Sequence, residues 1–328
     1  MITRIEERLE EYKAEIDEAM ILEIQQAAQK ILSGELVGFP TETVYGLGAN
    51  ALDADAVMKI YAAKGRPSDN PLIIHVCDIE MAESVVELNW RARFLMDIFW
   101  PGPLSLVLKA RETVPKVTRG GLETAAVRMP DNAIALELVR MAGVPIAAPS
   151  ANRSGRPSPT DALTVKEDIG DAVSIVIDGG PTKVGLESTV LDVSGEFPVL
   201  LRPGGISKEE IEKALHIEVL LPFDGEAIKR SPGTRYRHYA PKIPLVLTDG
   251  SCSSLVDGKK WAWIGISEPE HSPHVKIIFR DVEEYAKELF RVLRVIEKSG
   301  AEIIVAQIPD ETGIGRALKD RLVRASGI

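Results

Sequence analysis

Cysteine is scarce in this sequence: Cys77 and Cys252 are the only two in 328 residues. Two cannot build a disulfide framework or a four-cysteine zinc site. Each sits in or beside an apolar segment, the setting of a buried free thiol. Long apolar runs are also missing, and none approaches the roughly 20 residues that a membrane span needs. The first twenty residues are rich in Glu with scattered Arg, the reverse of a basic segment followed by an apolar core. Basic residues are outnumbered 39 to 49, for a net charge of −10. That excludes bulk attraction to nucleic acid or anionic lipid. The expectation is a soluble, cytoplasmic chain with no membrane contact and no stable nucleic-acid binding. Any phosphate site must then be a local cluster of Lys and Arg.

The composition that remains, 45% apolar and 27% charged, is that of a globular protein, and the length suits two domains. Ile2, Ile5, Leu9, Tyr12, Ile16 and Met20 follow one another at three- and four-residue steps. This predicts an amphipathic helix that packs on the first domain or, alternatively, on a partner. β-branched runs at 36–39, 72–77, 104–109, 124–128, 145–148, 173–177, 188–193 and 198–201 read as strands. Helical patterns lie at 54–64, 91–99, 134–141 and 208–215, the last opened by a capping box of Ser207 and Glu210. The mixture predicts a twisted, mixed α/β sheet.

Between 217 and 244 prolines and glycines break the pattern, while Arg235, Tyr236, Arg237, His238 and Tyr239 crowd together. A passive tether would carry small polar residues, so this linker is expected to dock. Strands at 245–247, 261–266, 276–279 and 302–306, with helices at 281–298 and 315–325, then predict a smaller parallel α/β domain. The expected division is an N-terminal helix (1–20), a catalytic domain (21–207), a helix and linker (208–243) and a C-terminal domain (244–328). No long apolar stripe is left unassigned, which suits a monomer.

Several familiar sites are excluded. No Gly-x-Ser-x-Gly elbow is present. Gly180 and Gly185 have P-loop spacing, but Leu186 and Glu187 stand where Lys and Ser/Thr must be. Gly313-x-Gly315 lacks a third glycine and reads as a strand-to-helix turn. His271-x-x-His274 has no third ligand nearby, so no metal site is expected. What remains is a set of polar clusters where strands give way to loops: Pro40 to Gly48, Lys64 to Pro71, Thr124 to Arg128, Ser150 to Asn152 with Ser158 and Thr160, Glu187 to Thr189, and Arg202 to Gly205. Open α/β sheets bind ligands at that edge. Lys64, Arg66, Arg128 and Arg202, converging there, would neutralise a phosphate-rich small molecule, most simply a nucleotide.

These residues resemble the YrdC-type threonylcarbamoyl-AMP synthases. The resemblance lies in Pro-Thr-Glu-Thr-x-Tyr-Gly-Leu, Lys-Gly-Arg-Pro before Asn-Pro-Leu and His75, Ser-Ala-Asn, Glu-Ser-Thr and Arg-Pro-Gly, in the family's order. The stretch from Ser231 to Pro241 is similar to the hallmark of the longer, two-domain form. The resemblance implies a YrdC-type domain with a concave cationic cavity, closed by the linker and followed by a Rossmann-like domain. It implies conversion of L-threonine, bicarbonate or CO2, and ATP to threonylcarbamoyl-AMP and pyrophosphate, for the threonylcarbamoyladenosine modification of tRNA. By the same resemblance Arg66, Asn70, Thr124, Ser150, Asn152, Thr160, Arg202 and Tyr236 contact ATP. Thr41, Thr43, His75, Arg128, Ser150 and Ser188 hold threonine.

Lys64, Arg66 and Arg202 are the expected stabilisers of charge at the α-phosphorus, with Mg²⁺ carried in on ATP. Tyr236 and its neighbours are expected to fold over the cavity as a lid, and the second domain to support that lid or to dock the tRNA threonylcarbamoyl-transferase machinery. Two rival readings are a carbamoyltransfer module of the hydrogenase-maturation kind and a double-stranded-RNA-binding protein. Two isolated cysteines disfavour the first and the acidic charge disfavours the second.

Overall fold

Asp17 accepts a hydrogen bond from the backbone N–H of Met20 at 2.8 Å and opens α1 (Glu18–Leu32). The computed structural model to which this helix belongs describes residues 12, 16–222, 238–249 and 258–327. Ile24, Ala27, Ala28 and Ile31 form the buried stripe of α1, at the three- and four-residue steps of a helix lying on a core. The helix therefore runs through the boundary expected at residue 20. Ile2, Ile5 and Leu9 lie outside the described residues, whereas Tyr12 is buried and its hydroxyl meets the Asp131 carboxylate.

The first domain is built on nine strands: β1 (Val37–Phe39), β2 (Gly46–Asn50), β3 (Ile73–His75), β4 (Leu104–Lys109), β5 (Thr124–Arg128), β6 (Ile146–Ala147), β7 (Ile175–Val176), β8 (Thr189–Asp192) and β9 (Val199–Arg202). They form one mixed sheet in the order β7-β1-β2-β6-β3-β5-β4-β8-β9. Its helices are α2 (Ala54–Lys64), α3 (Ile79–Val85), α4 (Trp90–Phe99), α5 (Ala133–Ala142), α6 (Ala162–Ile169) and α7 (Lys208–Leu215). Asp53, Asp78, Asn89, Asn132, Asp161 and Ser207 cap them in turn, each accepting a backbone N–H of the first turn. The expected Ser207–Glu210 box forms in both directions. Ile211 and Val219 belong to the main apolar core, so residues 208–219, expected in the linker, pack with the first domain.

Strand β2, Gly-Leu-Gly-Ala-Asn, has no β-branched alternation and was not expected. Its glycines are there for space. A Cβ on Gly48 would stand 2.9 Å from the Phe39 ring and 2.9 Å from an Ile146 methyl. Gly48→Ala is expected to destabilise the protein by about 1–3 kcal/mol through overpacking, lowering the urea midpoint at constant m. An unmoved midpoint would mean that the Phe39 ring yields freely.

Strands β3 and β5 run parallel with His75 opposite Arg128, so both residues leave the sheet at one carboxyl edge. That register is what brings the site together.

The second domain is a four-stranded, wholly parallel sheet: β10 (Leu245–Thr248), β11 (Trp261–Gly265), β12 (Val275–Ile278) and β13 (Ile303–Gln307), in the order β10-β13-β11-β12. Helices α8 (Val282–Glu297) and α9 (Gly315–Ser326) cover it. This is the smaller parallel α/β domain that the sequence predicts. Gly313 has φ +54°, and a Cβ on Gly315 would come within 2.1 Å of the Asp310 carbonyl oxygen, so the pair makes the turn into α9.

The domains join through two forked ion pairs, Arg156–Glu297 at 2.7 and 2.6 Å and Arg294–Asp168 at 3.0 and 2.7 Å. Val44 and Leu186 of the first domain are also packed into the second domain's core. Cys77 is buried, its thiol pushed up to about 12 first by desolvation and then by Asp78; Cys252 lies outside the described residues. Among the described residues no helix is long and apolar enough to cross a membrane.

Candidate active site

A cavity partly open to solvent lies at the carboxyl edge of the large sheet. The turn after β1 forms one wall. The Thr41 hydroxyl accepts the backbone N–H groups of Thr43 and Val44, both at 3.2 Å, and so winds the turn on itself. The Thr43 hydroxyl then accepts from Arg128 Nη1 at 3.0 Å, while Glu42 pairs with Arg128 Nη2 at 2.7 Å. Arg128 Nε donates to the Gly102 carbonyl. The guanidinium is thus fixed from three sides before any ligand arrives. Beside it His75 packs edge-on against Phe39, and its Nδ1 has no hydrogen-bond partner. Burial, reinforced by the Arg128 charge, lowers the His75 pKa to about 3, so the ring is neutral at neutral pH.

The opposite wall carries two more arginines. Arg66 Nε and Nη2 donate to the Asn70 and Pro71 carbonyls. Arg202 Nε and Nη2 donate to the Ser188 carbonyl at 3.1 and 2.9 Å. Both pKa values fall to about 10, chiefly through burial, and each guanidinium's neighbouring cation lowers it further: Arg202 for Arg66, Arg321 for Arg202. They remain charged at neutral pH. Two desolvated cations facing one cavity are a standing electrostatic cost that a bound polyanion relieves. The Ser188 hydroxyl bonds Ser105 Oγ at 2.8 Å and accepts from Arg202 Nη2 at 3.2 Å.

All six residues expected to hold threonine line this cavity: Thr41, Thr43, His75, Arg128, Ser150 and Ser188. Of those expected at ATP, Arg66, Ser150, Asn152 and Arg202 line it. Asn152 is committed elsewhere, however. Its Nδ2 donates to the Arg153 and Arg156 carbonyls, and its Oδ1 accepts from Ser150. Asn70, Thr124 and Thr160 are not brought to the wall. Thr124 starts β5, about 13 Å from Arg128 at the rise of a strand. Thr160 gives its carbonyl to the Thr182 N–H. Asn70 is buried beneath Arg66. Tyr236 lies outside the described residues.

Lys64 departs most from expectation. It is buried, and its ammonium donates to the carbonyls of Ser150 and Asn152. Burial first, and Arg66 second, hold its pKa well below the usual lysine value. It ties down the 150–152 loop rather than lining the cavity.

Glu187, His238 and Tyr239 line the cavity unforeseen as contact residues. Glu187 opens the Glu-Ser-Thr cluster, where a carboxylate ahead of two hydroxyls was the available signal. His238 and Tyr239 end the aromatic linker stretch, whose docking was expected at Tyr236. Desolvation, with Arg66 and Lys64 nearby, lowers the His238 pKa to about 3. Glu187, the carboxylate among the lining residues, is matched to Arg321, and Glu42, buried behind the wall, to Arg128. Among the described residues no group of three or more His, Cys, Asp or Glu is arranged to hold a metal ion.

Comparison with known proteins agrees over the whole chain. A family model described as telomere recombination, that of the Sua5, YciO and YrdC proteins, matches residues 29–204. A second, described as the C-terminal domain of threonylcarbamoyl-AMP synthase, matches 206–327. The threonylcarbamoyl-AMP synthase of Pyrococcus abyssi is 45% identical, with 100% of this chain and 98% of the relative covered. That of Bacillus subtilis is 44% identical over 93% of each. The crystal structure of P. abyssi Sua5 complexed with L-threonine superposes with a TM-score of 0.88 at 46% identity, covering 93% of this chain and 94% of that one. With both domains matched in order, the chain belongs to the threonylcarbamoyl-AMP synthase family, enzymes of the nucleotidyltransferase type.

Proposed function

We propose that the cavity joins L-threonine, CO2 or bicarbonate, and ATP into threonylcarbamoyl-AMP with release of pyrophosphate, for threonylcarbamoyladenosine synthesis in tRNA. The observation that carries this is the convergence of Arg66, Arg128 and Arg202 with four Ser and Thr side chains in one cavity. Threonine's amine must be neutral to capture CO2. A free α-amino group titrates near about 7.7–8.0, and desolvation beside three guanidinium groups lowers it further. One oxygen of the resulting carbamate then attacks the α-phosphorus. The bond from that phosphorus to the bridging oxygen breaks, and pyrophosphate leaves with its electron pair. Arg66 and Arg202 face the charge that builds on the phosphoryl oxygens. Arg128, already oriented by Glu42 and Thr43, suits the threonine carboxylate.

Lys64 acts at one remove, by holding the Ser150–Asn152 loop. Because the Glu187 carboxylate in the cavity wall is engaged by Arg321, Mg²⁺ is proposed to enter chelated to the triphosphate and to neutralise part of its charge. No side chain is assigned as general base; positioning and charge stabilisation carry the step. Tyr236 and the linker residues before His238 are proposed to close over the mixed anhydride and exclude water.

The test is pyrophosphate release by purified protein with and without threonine and bicarbonate. Release that needs both supports the reading, and release without threonine rejects it. Serine lacks only a methyl group, so its kcat/KM is expected to fall by about 10–200-fold relative to threonine. Equal kcat/KM for the two would show that the methyl has no pocket.

A further inference from the structure

We infer that Arg321, carried on the C-terminal domain's last helix, is a positioning residue for the catalytic cavity, so that the C-terminal domain completes the active site. The inference rests on the function proposed above. Arg321 is 0% exposed. Its Nε donates to Glu187 Oε2 at 2.7 Å, and its Nη2 donates to the Pro203 carbonyl at 3.0 Å. Its guanidinium carbon lies 5.4 Å from the centroid of the Tyr239 ring. One planar group therefore touches three separate chain segments of the cavity wall, in a geometry that a lysine cannot reproduce.

Glu187 and Tyr239 line the cavity themselves, and Pro203 adjoins Arg202, which lines it too. Glu187 precedes Ser188, whose carbonyl and hydroxyl both accept from Arg202. Pro203 follows Arg202 itself. Gly204 brings the two segments into backbone contact: a Cβ there would lie 2.2 Å from the Thr189 nitrogen and 2.4 Å from the Glu187 carbonyl oxygen. The other Glu187 oxygen accepts from Ser158 at 2.5 Å, so the carboxylate has no slack. Leu186, just before it, is buried in the second domain's core together with Val44 from the Thr-Glu-Thr turn. Asp320 holds Nη1 of Arg321 at 2.6 Å and orients the fork. The two forked pairs, Arg156–Glu297 and Arg294–Asp168, fasten the domains elsewhere. Neither fork hydrogen-bonds Glu187, Pro203 or Tyr239, although Arg294 also meets the Pro157 carbonyl.

The experiment compares Arg321→Met, Arg321→Lys and the docking variant Arg294→Ala in the full chain, below their unfolding temperatures. Threonine-dependent pyrophosphate release gives kcat and KM, and calorimetry gives threonine and ATP affinity. Arg321→Met is expected to lose about 10–100-fold in kcat, the scale of a misplaced reacting group. Arg321→Lys should recover part of that loss, by keeping the charge on Glu187. Arg294→Ala, which removes the fork to Asp168 and the hydrogen bond to the Pro157 carbonyl, should lower thermal stability with a much smaller kcat loss than Arg321→Met. If Arg321→Met shifts only the melting temperature, with kcat, KM and both affinities unchanged, the residue is structural and the inference fails. Should that variant not fold, Glu187→Gln, which keeps the shape and loses the charge, must show the same kcat loss or the inference fails likewise. Pyrophosphate release by the unsubstituted protein tests the function separately, and the calorimetric affinities report on Arg321 whichever way that turns out.

Discussion

Arg202→Ala is expected to lower threonine- and bicarbonate-dependent pyrophosphate release by about 10²–10³-fold, the loss seen when one preorganised donor to a developing oxyanion is removed. Arg202 ends β9, is 4% exposed, and has a pKa lowered to about 10, so it carries full charge in a desolvated wall. Two of its donors are anchored on the Ser188 carbonyl, which aims the guanidinium without reorganisation when charge appears. A charge that acts in the transition state should show in kcat, whereas one that only helps ATP bind should show in KM. The expected pattern is a kcat loss with a smaller KM rise. Lysine at 202 keeps the charge but not the fork, and should recover only part of the rate. Wild-type kcat in Arg202→Ala would remove this residue from the chemistry and leave Arg66 to carry it.

How much of this was legible in the sequence varies by element. Strands β4 and β5 fall where their β-branched runs begin and end, because a strand buried among apolar neighbours needs that composition. The capping box of α7 was readable for the same local reason. β2 was not readable. Its glycines answer to Phe39 and Ile146 across the sheet, contacts that no local pattern announces. Helices α1, α3 and α6 were passed over as well, although Asp17, Asp78 and Asp161 each cap them with a side-chain oxygen; a single Asp before a mixed apolar stretch is a weak signal on its own.

For the site, residue types at strand ends pointed to the right edge of the sheet, since the parallel register of β3 and β5 brings His75 and Arg128 together there. The sequence was silent on what each cation does once there. Arg66 and Lys64 stand two residues apart, yet one faces the cavity and the other caps a loop from below. That difference depends on where Ser150 and Asn152 turn their carbonyls, which is tertiary. The carboxylates Glu42 and Glu187 were hidden for a related reason. Their partners, Arg128 and Arg321, are 86 and 134 positions away along the chain.

Acid should destabilise this protein well before its carboxylates titrate. His75 and His238 are 4% and 8% exposed, and each has a pKa lowered to about 3, by burial first and by neighbouring cations second. In the unfolded chain an imidazole binds its proton near about 6.5. Between those two values the unfolded state holds protons that the folded state refuses, so stability falls as the pH drops. At pH 5 the cost is about 2 kcal/mol for each ring, and about 4 kcal/mol for the pair. Arg128 faces the first ring; Arg66, Lys64 and Arg324 face the second, against Glu187 alone. The pKa values of Glu187, Glu297 and Asp320 are lowered in the folded protein, and their contribution has the same sign but is lost only at lower pH. Urea unfolding at pH 7 and pH 5 checks this directly. The midpoint should fall between them in the unsubstituted protein, and much less in a His75→Gln, His238→Gln double variant. An equal fall in both would assign the acid sensitivity to other groups. The same neutrality bears on catalysis: with both rings uncharged above about pH 5, the positive charge in the cavity comes from arginine alone, and the rate near neutrality should follow the ionisation of the substrate amine.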